Sequence, residues 1–310
     1  MQGYYRFPAV HKNKILFISE DDLWITSIDN PKAIRLTNNN SEVSSPIFSP
    51  DGKTIAYIGT EDGGTEIYTM PSKGGKSKRL TYDGGFISQI SLWKGNKIYY
   101  SSTLSSTIGR VLDLRVVNEK GGHSTGLNFG MARTIDISNH GTIIGKNTAE
   151  PARWKRYRGG TAGEILIDSN NTGTFKKLLN LKSNIACPFW VDNRIYFISD
   201  HEGIGNIYSC NRSGSNIKKH TSHKNYYVRN ASTDTNSIVY HSGADIYVLN
   251  LKNDNVNKID IDYSSSKIQT SRKFVQSKKY LESCSLSSDK NFISVVSRGK
   301  PFVMGNWNGA

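Results

Sequence analysis

The segment SPDGKTIAYIG at residues 49–59 joins a tight turn to a run of apolar residues. Pro50 presets the φ angle of the turn and Gly52 supplies a positive φ, so the turn favours a hairpin. The triplet Ile55-Ala56-Tyr57 that follows is apolar at consecutive positions, which predicts a strand buried on both faces. A strand of this kind needs packing partners on both sides, and radially stacked sheets provide them.

Equivalent triplets recur along the chain at intervals of 40 to 52 residues. The other five are Ile15-Leu16-Phe17, Ile98-Tyr99-Tyr100, Ile143-Ile144-Gly145, Ile195-Tyr196-Phe197 and Ile238-Val239-Tyr240. A second marker pair that begins with Leu or Ile trails each triplet, and three of the units close on a pair ending in threonine, at Leu36-Thr37, Leu80-Thr81 and His220-Thr221. A period of about 40–45 residues with four short strands per unit is typical of a β-propeller.

A partial seventh unit follows the six complete ones. Phe292-Ile293-Ser294 and Phe302-Val303 repeat the two apolar markers, after a longer and more polar segment from Asp262 to Lys279. We therefore predict an all-β fold: a six-bladed β-propeller of four-stranded antiparallel blades over residues 1–262. A linker and the incomplete first blade of a second propeller are predicted over residues 263–310. A single seven-bladed ring is the alternative interpretation.

The composition limits the classes of partner and the cellular setting. The chain of 310 residues has a formal net charge of +14, which favours anionic partners. That charge is spread along the chain, and no RRM or zinc-finger pattern accompanies it, so no nucleic-acid partner is predicted. No apolar stretch is long enough to span a bilayer, and the N-terminus has no signal-peptide pattern, so we expect no membrane partner and a cytoplasmic location.

Motifs that carry chemistry are not found in the sequence. The three cysteines have no CxxC spacing, and the nearest histidine pair, His220 and His223, has no suitable acidic or cysteine neighbour. No G-x-S-x-G elbow occurs between a strand and a helix, and no P-loop or G-x-G-x-x-G stretch is found, although serine, histidine and aspartate are plentiful. The sequence therefore predicts no catalytic residue, no metal and no cofactor.

One local cluster of cations stands out as a candidate substrate-channel site. Arginine can grip a carboxylate with two parallel hydrogen bonds, so a positive loop near a pore would attract the acidic or C-terminal ends of peptides. The alternative is structural: aromatic side chains hold a long loop against its blade, and the cations are solvated. We hypothesise that the loop lines or borders the channel of the ring, with these residues as candidates: Arg153, Lys155, Arg156, Tyr157 and Arg158.

The same stretch carries a family resemblance. Residues 154–161, WKRYRGGT, resemble the WK-x-YRGGT segment in the first propeller of tricorn proteases. Further matches keep the blade order almost from end to end, at Asp21–Trp24, Gly145–Thr148, Phe175–Leu178, Arg194–Asp200, Lys219–Thr221 and Val296–Gly299.

The resemblance implies a part of a large cytoplasmic serine peptidase that degrades oligopeptides and assembles as a homo-hexamer. Tricorn subunits carry a six-bladed propeller, a seven-bladed one and then helical, PDZ and catalytic regions. The family's catalytic residues have no matching positions in this sequence. Its arginine pair for the substrate carboxylate, in an insertion after the second blade, is also missing, because the stretch Tyr82–Ser88 is short and has no arginine.

The resemblance predicts a non-catalytic domain that acts as a gate or channel for peptide substrates or products. Its expected partners are oligopeptides and the other domains and subunits of a tricorn-like homo-hexamer. The alternative is a stand-alone propeller scaffold that binds a partner protein, since a fold does not decide function.

Overall fold

The computed structural model describes residues 3–38, 41–109, 111–267 and 276–306. Residues 268–275 of the predicted linker, and residues 307–310, lie outside the described part. The chain divides into two compact units, 1–265 and 266–310. No helix among the described residues is long and apolar enough to cross a membrane.

The first unit consists of six sheets, each built from four consecutive strands in antiparallel order. Sheets one and two contain β1 (Arg6–His11), β2 (Lys14–Ser19), β3 (Asp22–Ser27), β4 (Ile34–Arg35), β5 (Val43–Phe48), β6 (Thr54–Gly59), β7 (Glu66–Pro71) and β8 (Lys78–Arg79). Sheets three and four contain β9 (Ile87–Lys94), β10 (Lys97–Ser102), β11 (Asp113–Asn118), β12 (Thr125–Met131), β13 (Thr134–Ser138), β14 (Gly141–Lys146), β15 (Glu164–Asp168) and β16 (Lys176–Lys177). Sheets five and six contain β17 (Ile185–Val191), β18 (Arg194–Ser199), β19 (Asn206–Asn211), β20 (Lys218–Lys219), β21 (Val228–Thr233), β22 (Ser237–Ser242), β23 (Asp245–Asn250) and β24 (Val256–Lys258).

The first strand of each sheet packs against the first strand of the next, and β21 packs against β1. The sheets therefore form the blades of a ring, and the predicted six-bladed propeller is confirmed. Each first strand begins on what we call the front face. Because its pairing with the second strand is antiparallel, the hairpin between them lies on the opposite, back face.

The repeated apolar triplets lie on the second strand of each blade. Ile55, Ala56 and Tyr57 on β6 are all fully buried, and Tyr57 packs between blades one and two with Leu16 of β2. Burying a large apolar side chain of this kind contributes about 1.5–3 kcal/mol, so the sandwiching of blades supplies most of the driving force for the ring.

The threonine markers have a structural role at the front face. In each case the threonine hydroxyl accepts a 2.9 Å hydrogen bond from a backbone NH early in the third strand, and it donates to the polar residue that begins that strand. The three pairs are Thr37 with Asp22, Thr81 with Glu66 and Thr221 with Asn206. This exchange fixes the turn after the fourth strand, because both partners are buried and neither has water to replace the bond.

Ring closure involves no exchanged strand, because every blade is formed by a contiguous segment. The closing segment, residues 259–265, leaves the sixth blade and pairs with the first. Asp262 donates from its backbone NH to the carbonyl of Pro31 (3.0 Å) and accepts from the NH of Ala33 (2.9 Å). Tyr263 is buried beside Trp24, with ring centroids 4.8 Å apart, so packing and two backbone bonds join the ends of the ring.

The second unit contains one short helix and one sheet among its described residues. Helix α1 (Ser277–Tyr280) precedes an antiparallel sheet of three strands, β25 (Leu281–Leu286), β26 (Phe292–Ser297) and β27 (Lys300–Gly305). The predicted three-stranded extra unit is therefore present. Phe292, Phe302 and Val303 are exposed, so this sheet buries little of its apolar surface.

Candidate functional site

The six first strands line a central channel with a cavity of about 830 Å³. Its wall consists mainly of apolar and small polar residues, such as Ala9, Ser91 and Ser232. The charged residues of the wall are few, and they stand towards the back face: Lys94, Asp136, Asp192 and Asp234. A narrow channel with this wall offers an extended chain many weak contacts and leaves no room for a folded protein.

Bulges shape five of the six channel strands, β9 among them. Near the front face, each of the other four has one extra residue relative to its second strand, and a residue other than glycine takes a positive φ there: Phe7 (47°), Ser45 (45°), Cys187 (47°) and Asn230 (47°). Bulges of this kind re-aim side chains and are common near binding sites. All four of these residues line the channel, so the bulges set its outline at the front.

Asp136 lies on the channel strand of the fourth blade. Burial raises the pKa of its carboxyl to about 6, although the carboxylate accepts backbone hydrogen bonds from Trp190 (2.7 Å) and Ile137 (2.8 Å). The bond to Trp190 crosses to the fifth blade. Asp136 therefore joins two blades, and its carboxyl takes up a proton at a higher pH than that of an ordinary aspartate.

The cation cluster predicted from the sequence lies in the basic loop, residues 147–163, which joins β14 to β15 on the front face. A short 3-10 helix, Pro151–Trp154, begins it, with the Glu150 side chain as its N-cap. Arg153 is exposed, and the Lys155 ammonium stands 5.9 Å from the ring centroid of Tyr227. None of the five predicted site residues, all of which the structure describes, lines the wall of the channel itself.

Asp200 holds the centre of the basic loop. Its carboxylate accepts from Nη1 of Arg158 and from the backbone NH of Arg156, both at 2.8 Å, and from the backbone NH of Asn184 at 2.9 Å. The Asp200 side chain is completely buried, whereas Trp154 is 58% exposed. The loop is thus held by an ion pair to the fifth blade, and the ring of Tyr157 packs on Trp154 at the surface, with centroids 5.2 Å apart.

The start of the basic loop reaches a channel strand of the sixth blade. Oε2 of Glu150 lies 3.0 Å from Nε of Arg229, an ion-pair distance without hydrogen-bond geometry. Burial raises the pKa of the Glu150 carboxyl, and the positive charges of Arg229 and Arg133 offset part of this rise. Arg229 directly precedes the bulge residue Asn230, so this contact places Glu150 beside the front mouth of the channel. Residues 133, 150 and 229 are far apart in sequence, and no local pattern predicts that they meet.

A Ser–His–Asp relay links the fifth blade to the sixth, with a buried serine and histidine. Nδ1 of His220 lies 2.8 Å from Oδ1 of Asp254, and Nε2 lies 2.8 Å from Oγ of Ser209. Burial lowers the pKa of the His220 imidazole, so the neutral ring donates to Asp254 and accepts from Ser209. The Ser209 residue is fully buried and also accepts from Nε of Arg194 at 2.9 Å. A hydroxyl that no substrate can reach is not a nucleophile, so the relay joins blades five and six.

Metal ligands do not converge in the described parts of the chain: no three side chains of His, Cys, Asp and Glu are grouped to hold an ion. The fold defines a six-bladed β-propeller domain with a cavity along its central axis. The chain belongs to the tricorn protease N-terminal beta propeller domain family, which it matches over residues 2–255.

Two relatives and one solved structure support this assignment. The chain is 33% identical to the tricorn protease homolog of Saccharolobus solfataricus, over 100% of this chain and 29% of the relative. It is 34% identical to tricorn protease homolog 1 of Streptomyces coelicolor, over 96% of this chain and 28% of that protein. It superposes on the crystal structure of the tricorn protease with a TM-score of 0.81 and 30% identity, over 98% of this chain and 30% of that one.

The chain spans less than a third of the length of these relatives. It is the propeller part of a tricorn-like protease, a serine peptidase family, and it contains no catalytic domain. The prediction of a tricorn-type propeller domain is therefore confirmed, and the alternative of a stand-alone scaffold receives no support.

Proposed function

We propose that this domain acts as a gate or channel for the peptide substrates or products of a tricorn-like serine protease. The observation that carries the proposal is the central channel, about 830 Å³ in volume, whose wall is mainly apolar and small polar, with the ion pair of Glu150 and Arg229 at its front mouth. A wall of this kind binds extended peptides weakly, so they can move through it, and its width excludes folded chains. Family membership supplies the substrate class.

The basic loop is proposed to border the front mouth and to bias which peptides pass. Arg153, Lys155, Arg156, Tyr157 and Arg158 are the candidate residues. The support is the pair between Glu150 and Arg229, which joins the start of the loop to a channel strand. The exposed cations of the loop would raise the local concentration of anionic peptide ends, an effect that salt weakens.

Narrowing the channel tests the proposal. Ser232→Trp places a large side chain on the wall of the channel strand β21, and Asn257→Trp places the same side chain on the exposed outer strand of that blade. We expect S232W to weaken the binding of a labelled extended peptide, measured by fluorescence anisotropy, by about tenfold or ~1.4 kcal/mol. The control N257W should bind as the unmodified chain does. Equal affinity of both variants would contradict the channel function.

The proposed partners are oligopeptides and the other domains and subunits of a tricorn-like homo-hexamer, in the cytoplasm. These follow from the family resemblance, and the relatives described above are several times longer than this chain. Native mass spectrometry of the whole protease subunit that contains this propeller tests the assembly. We expect a mass of six subunits, and a stable monomer would overturn the hexamer.

A further inference from the structure

Exposed aromatic side chains gather in one sector of the front face, beside the mouth of the channel. Two tyrosines and one tryptophan there are more than half exposed: Tyr4 (51%), Trp154 (58%) and Tyr226 (64%). Tyr157 packs its ring on that of Trp154, with centroids 5.2 Å apart. Rings of this size are mostly buried in a core or at an interface, so a group of them on the surface indicates a place where a partner binds. We call these four residues the aromatic collar.

Contacts along the front face hold two members of the collar together. The Tyr226 ring packs over Gly243 in the turn between β22 and β23, where an added Cβ atom would lie 3.3 Å from Cδ2 of the ring. The carbonyl of Ala244 in the same turn accepts a 3.3 Å hydrogen bond from the backbone NH of Tyr5, the residue after Tyr4. Tyr4 and Tyr226 therefore flank one turn, although they come from opposite ends of the propeller sequence.

A second set of contacts links Trp154 to the same place. Nη1 of Arg229 donates a 3.4 Å hydrogen bond to the Tyr4 hydroxyl, and Nε of Arg229 lies 3.0 Å from the Glu150 carboxylate. Glu150 in turn caps the 3-10 helix that ends at Trp154. Arg229 directly precedes Asn230, which lines the channel, so the collar borders the front mouth.

The charges within the collar favour a ligand with acidic side chains. Arg153 and Lys155 flank Trp154 in the sequence, and both are exposed. Among the described residues neither cation has an ion pair, and the Lys155 ammonium stands 5.9 Å from the ring centroid of Tyr227. Cations that no carboxylate of the protein neutralises attract acidic groups of a ligand, while the rings beside them offer stacking and apolar contact.

The arrangement fits an extended peptide better than a folded partner. The rings stand on three separate segments of the chain, and the charged pair of Glu150 and Arg229 lies between the segments that carry Tyr4 and Trp154. They therefore provide separate positions for single side chains and not one continuous apolar face. A peptide that enters or leaves the channel at the front passes these positions, because they border the mouth.

We propose that the aromatic collar is a binding site for aromatic or large apolar side chains of extended peptides that also carry acidic residues. The rings hold the apolar side chain by stacking and edge contacts, and Arg153 and Lys155 attract the acidic side chains next to it. This inference rests on the proposed channel function and adds to it the class of peptide that the front mouth selects.

Fluorescein-labelled peptides with a C-terminal amide test the collar by its effect on internal side chains alone. One peptide has a phenylalanine between glutamates, a second has alanine in place of the phenylalanine, and a third has lysines in place of the glutamates. We expect the phenylalanine peptide to bind the chain about three- to tenfold more tightly than the alanine peptide, measured by fluorescence anisotropy. The lysine peptide should bind more weakly than the phenylalanine peptide, and high salt should reduce this second difference but not the first.

Variants of the collar assign the preference to its rings. Trp154→Ala and Tyr226→Ala should each remove most of the preference for phenylalanine, and neither threatens the fold because both side chains are exposed. Trp154→Phe keeps an aromatic ring and should retain most of the preference. The control is Tyr82→Ala, which removes a ring that is 75% exposed between blades two and three, and it should leave the preference unchanged. A full preference in both W154A and Y226A would overturn the site.

Two results separate the collar from the channel. Equal binding of the phenylalanine and alanine peptides to the unmodified chain, with weaker binding of both to S232W, would overturn the collar and leave the channel function standing. Binding of neither peptide would overturn both proposals. A single-stranded oligouridine that binds more tightly than the phenylalanine peptide, and loses this affinity in W154A, would show a nucleic-acid site and overturn the assignment to peptides.

Hydroxyl-radical footprinting tests whether another part of the protease covers the collar. Trp154 and Tyr226 should be oxidised to the same extent in the isolated chain and in the whole protease subunit, and the phenylalanine peptide should protect both residues. Protection in the subunit without peptide would mean that another domain occupies the collar. Protection that increases with the concentration of the isolated chain would mean that a second copy does. Either result would overturn the peptide site.

Discussion

Nη1 of Arg158 donates a 2.8 Å hydrogen bond to Oδ1 of Asp200, and the side chain that accepts it is completely buried. This pair joins the basic loop of the fourth blade to the fifth blade. It also explains why one of the predicted loop cations, Arg158, is not free at the surface. Arg158 neutralises Asp200, whereas Arg156 contributes only its backbone NH to the same carboxylate.

Replacement of Asp200 by alanine should therefore release the loop. The change leaves the donors of Arg158, Arg156 and Asn184 without their acceptor, and breaking a buried pair in this way costs about 3–5 kcal/mol. We expect a lower free energy of unfolding in urea and faster tryptic cleavage within residues 153–158. The control is Asp260→Ala, whose side chain is 89% exposed. A loop that stays resistant to trypsin in D200A would show that other contacts hold it.

His241 should make the stability of the propeller depend on acid pH. Its ring is fully buried, and burial, together with Arg229 and Arg6, lowers the pKa of the imidazole to about 3. As the pH decreases, the imidazole is protonated at about pH 6.5 in the unfolded chain but only near pH 3 in the folded chain. The free energy of unfolding therefore falls as the pH decreases from 6.5 towards 3. The loss is about 1.4 kcal/mol per pH unit within that window.

Unfolding in urea at pH 7 and pH 5 measures this dependence. The His241→Asn variant should lose about 2 kcal/mol less between the two pH values than the unmodified chain does. Asp136 and Glu150 titrate in both proteins, so their contributions cancel in the comparison. His123→Asn, at an exposed position, should behave as the unmodified chain does. If H241N lost as much stability between pH 7 and pH 5 as the unmodified chain does, His241 would not be the source of the pH dependence.

Tyr263 should control the opening of the ring between blades one and six. Its ring packs against Trp24 and Tyr5, and its hydroxyl accepts a 2.9 Å hydrogen bond from Oγ of Ser19. Tyr263→Ala removes a buried aromatic ring and should cost about 3–5 kcal/mol. Because no strand crosses this junction, we expect faster hydrogen exchange in β1–β3 and β21–β23, with little change in β9–β15.

Tyr263→Phe separates the hydrogen bond from the packing and should cost only about 1 kcal/mol. Tyr82→Ala, which truncates a side chain that is 75% exposed, is the matched control. Uniform loss of protection around the whole ring in Y263A would mean that the blades open together and not at this junction.

The relay of Ser209, His220 and Asp254 should have no hydrolytic activity. Its serine is buried, so a fluorophosphonate probe should not label the folded chain. Ser209→Ala should instead lower the free energy of unfolding by about 1–3 kcal/mol, since Arg194 and His220 lose a buried partner. Labelling found on Ser209 by mass spectrometry, and lost in S209A, would refute the structural role.

The sequence predicted the six blades because each one repeats the same local arrangement. The Ile55-Ala56-Tyr57 triplet and its copies are apolar on both faces, and only stacked sheets bury both faces of a short strand. Thr37 and Thr81 were visible as markers as well. Their exchange with Asp22 and Glu66 was not predicted, because each hydrogen bond links residues 15 positions apart across a turn.

The candidate site was predicted only in part. The cations of residues 153–158 are adjacent in sequence, so the cluster was visible. The burial of Asp200 beneath it was not, because its burial depends on how the fourth and fifth blades meet. The bulges at Phe7, Ser45, Cys187 and Asn230 have no common residue type, so no pattern indicated the outline of the channel.

The sequence alone determined the positions of the repeated buried strands, the preference for six blades and the family resemblance, since these depend on neighbouring residues that repeat at a regular period. Only the tertiary structure decided how the ring closes on Tyr263 and which charges gather at its mouth. Arg133, Glu150 and Arg229 come together because the ring brings its first strands to one axis, and the Coulomb interaction among them depends on distance in space and not on separation along the chain.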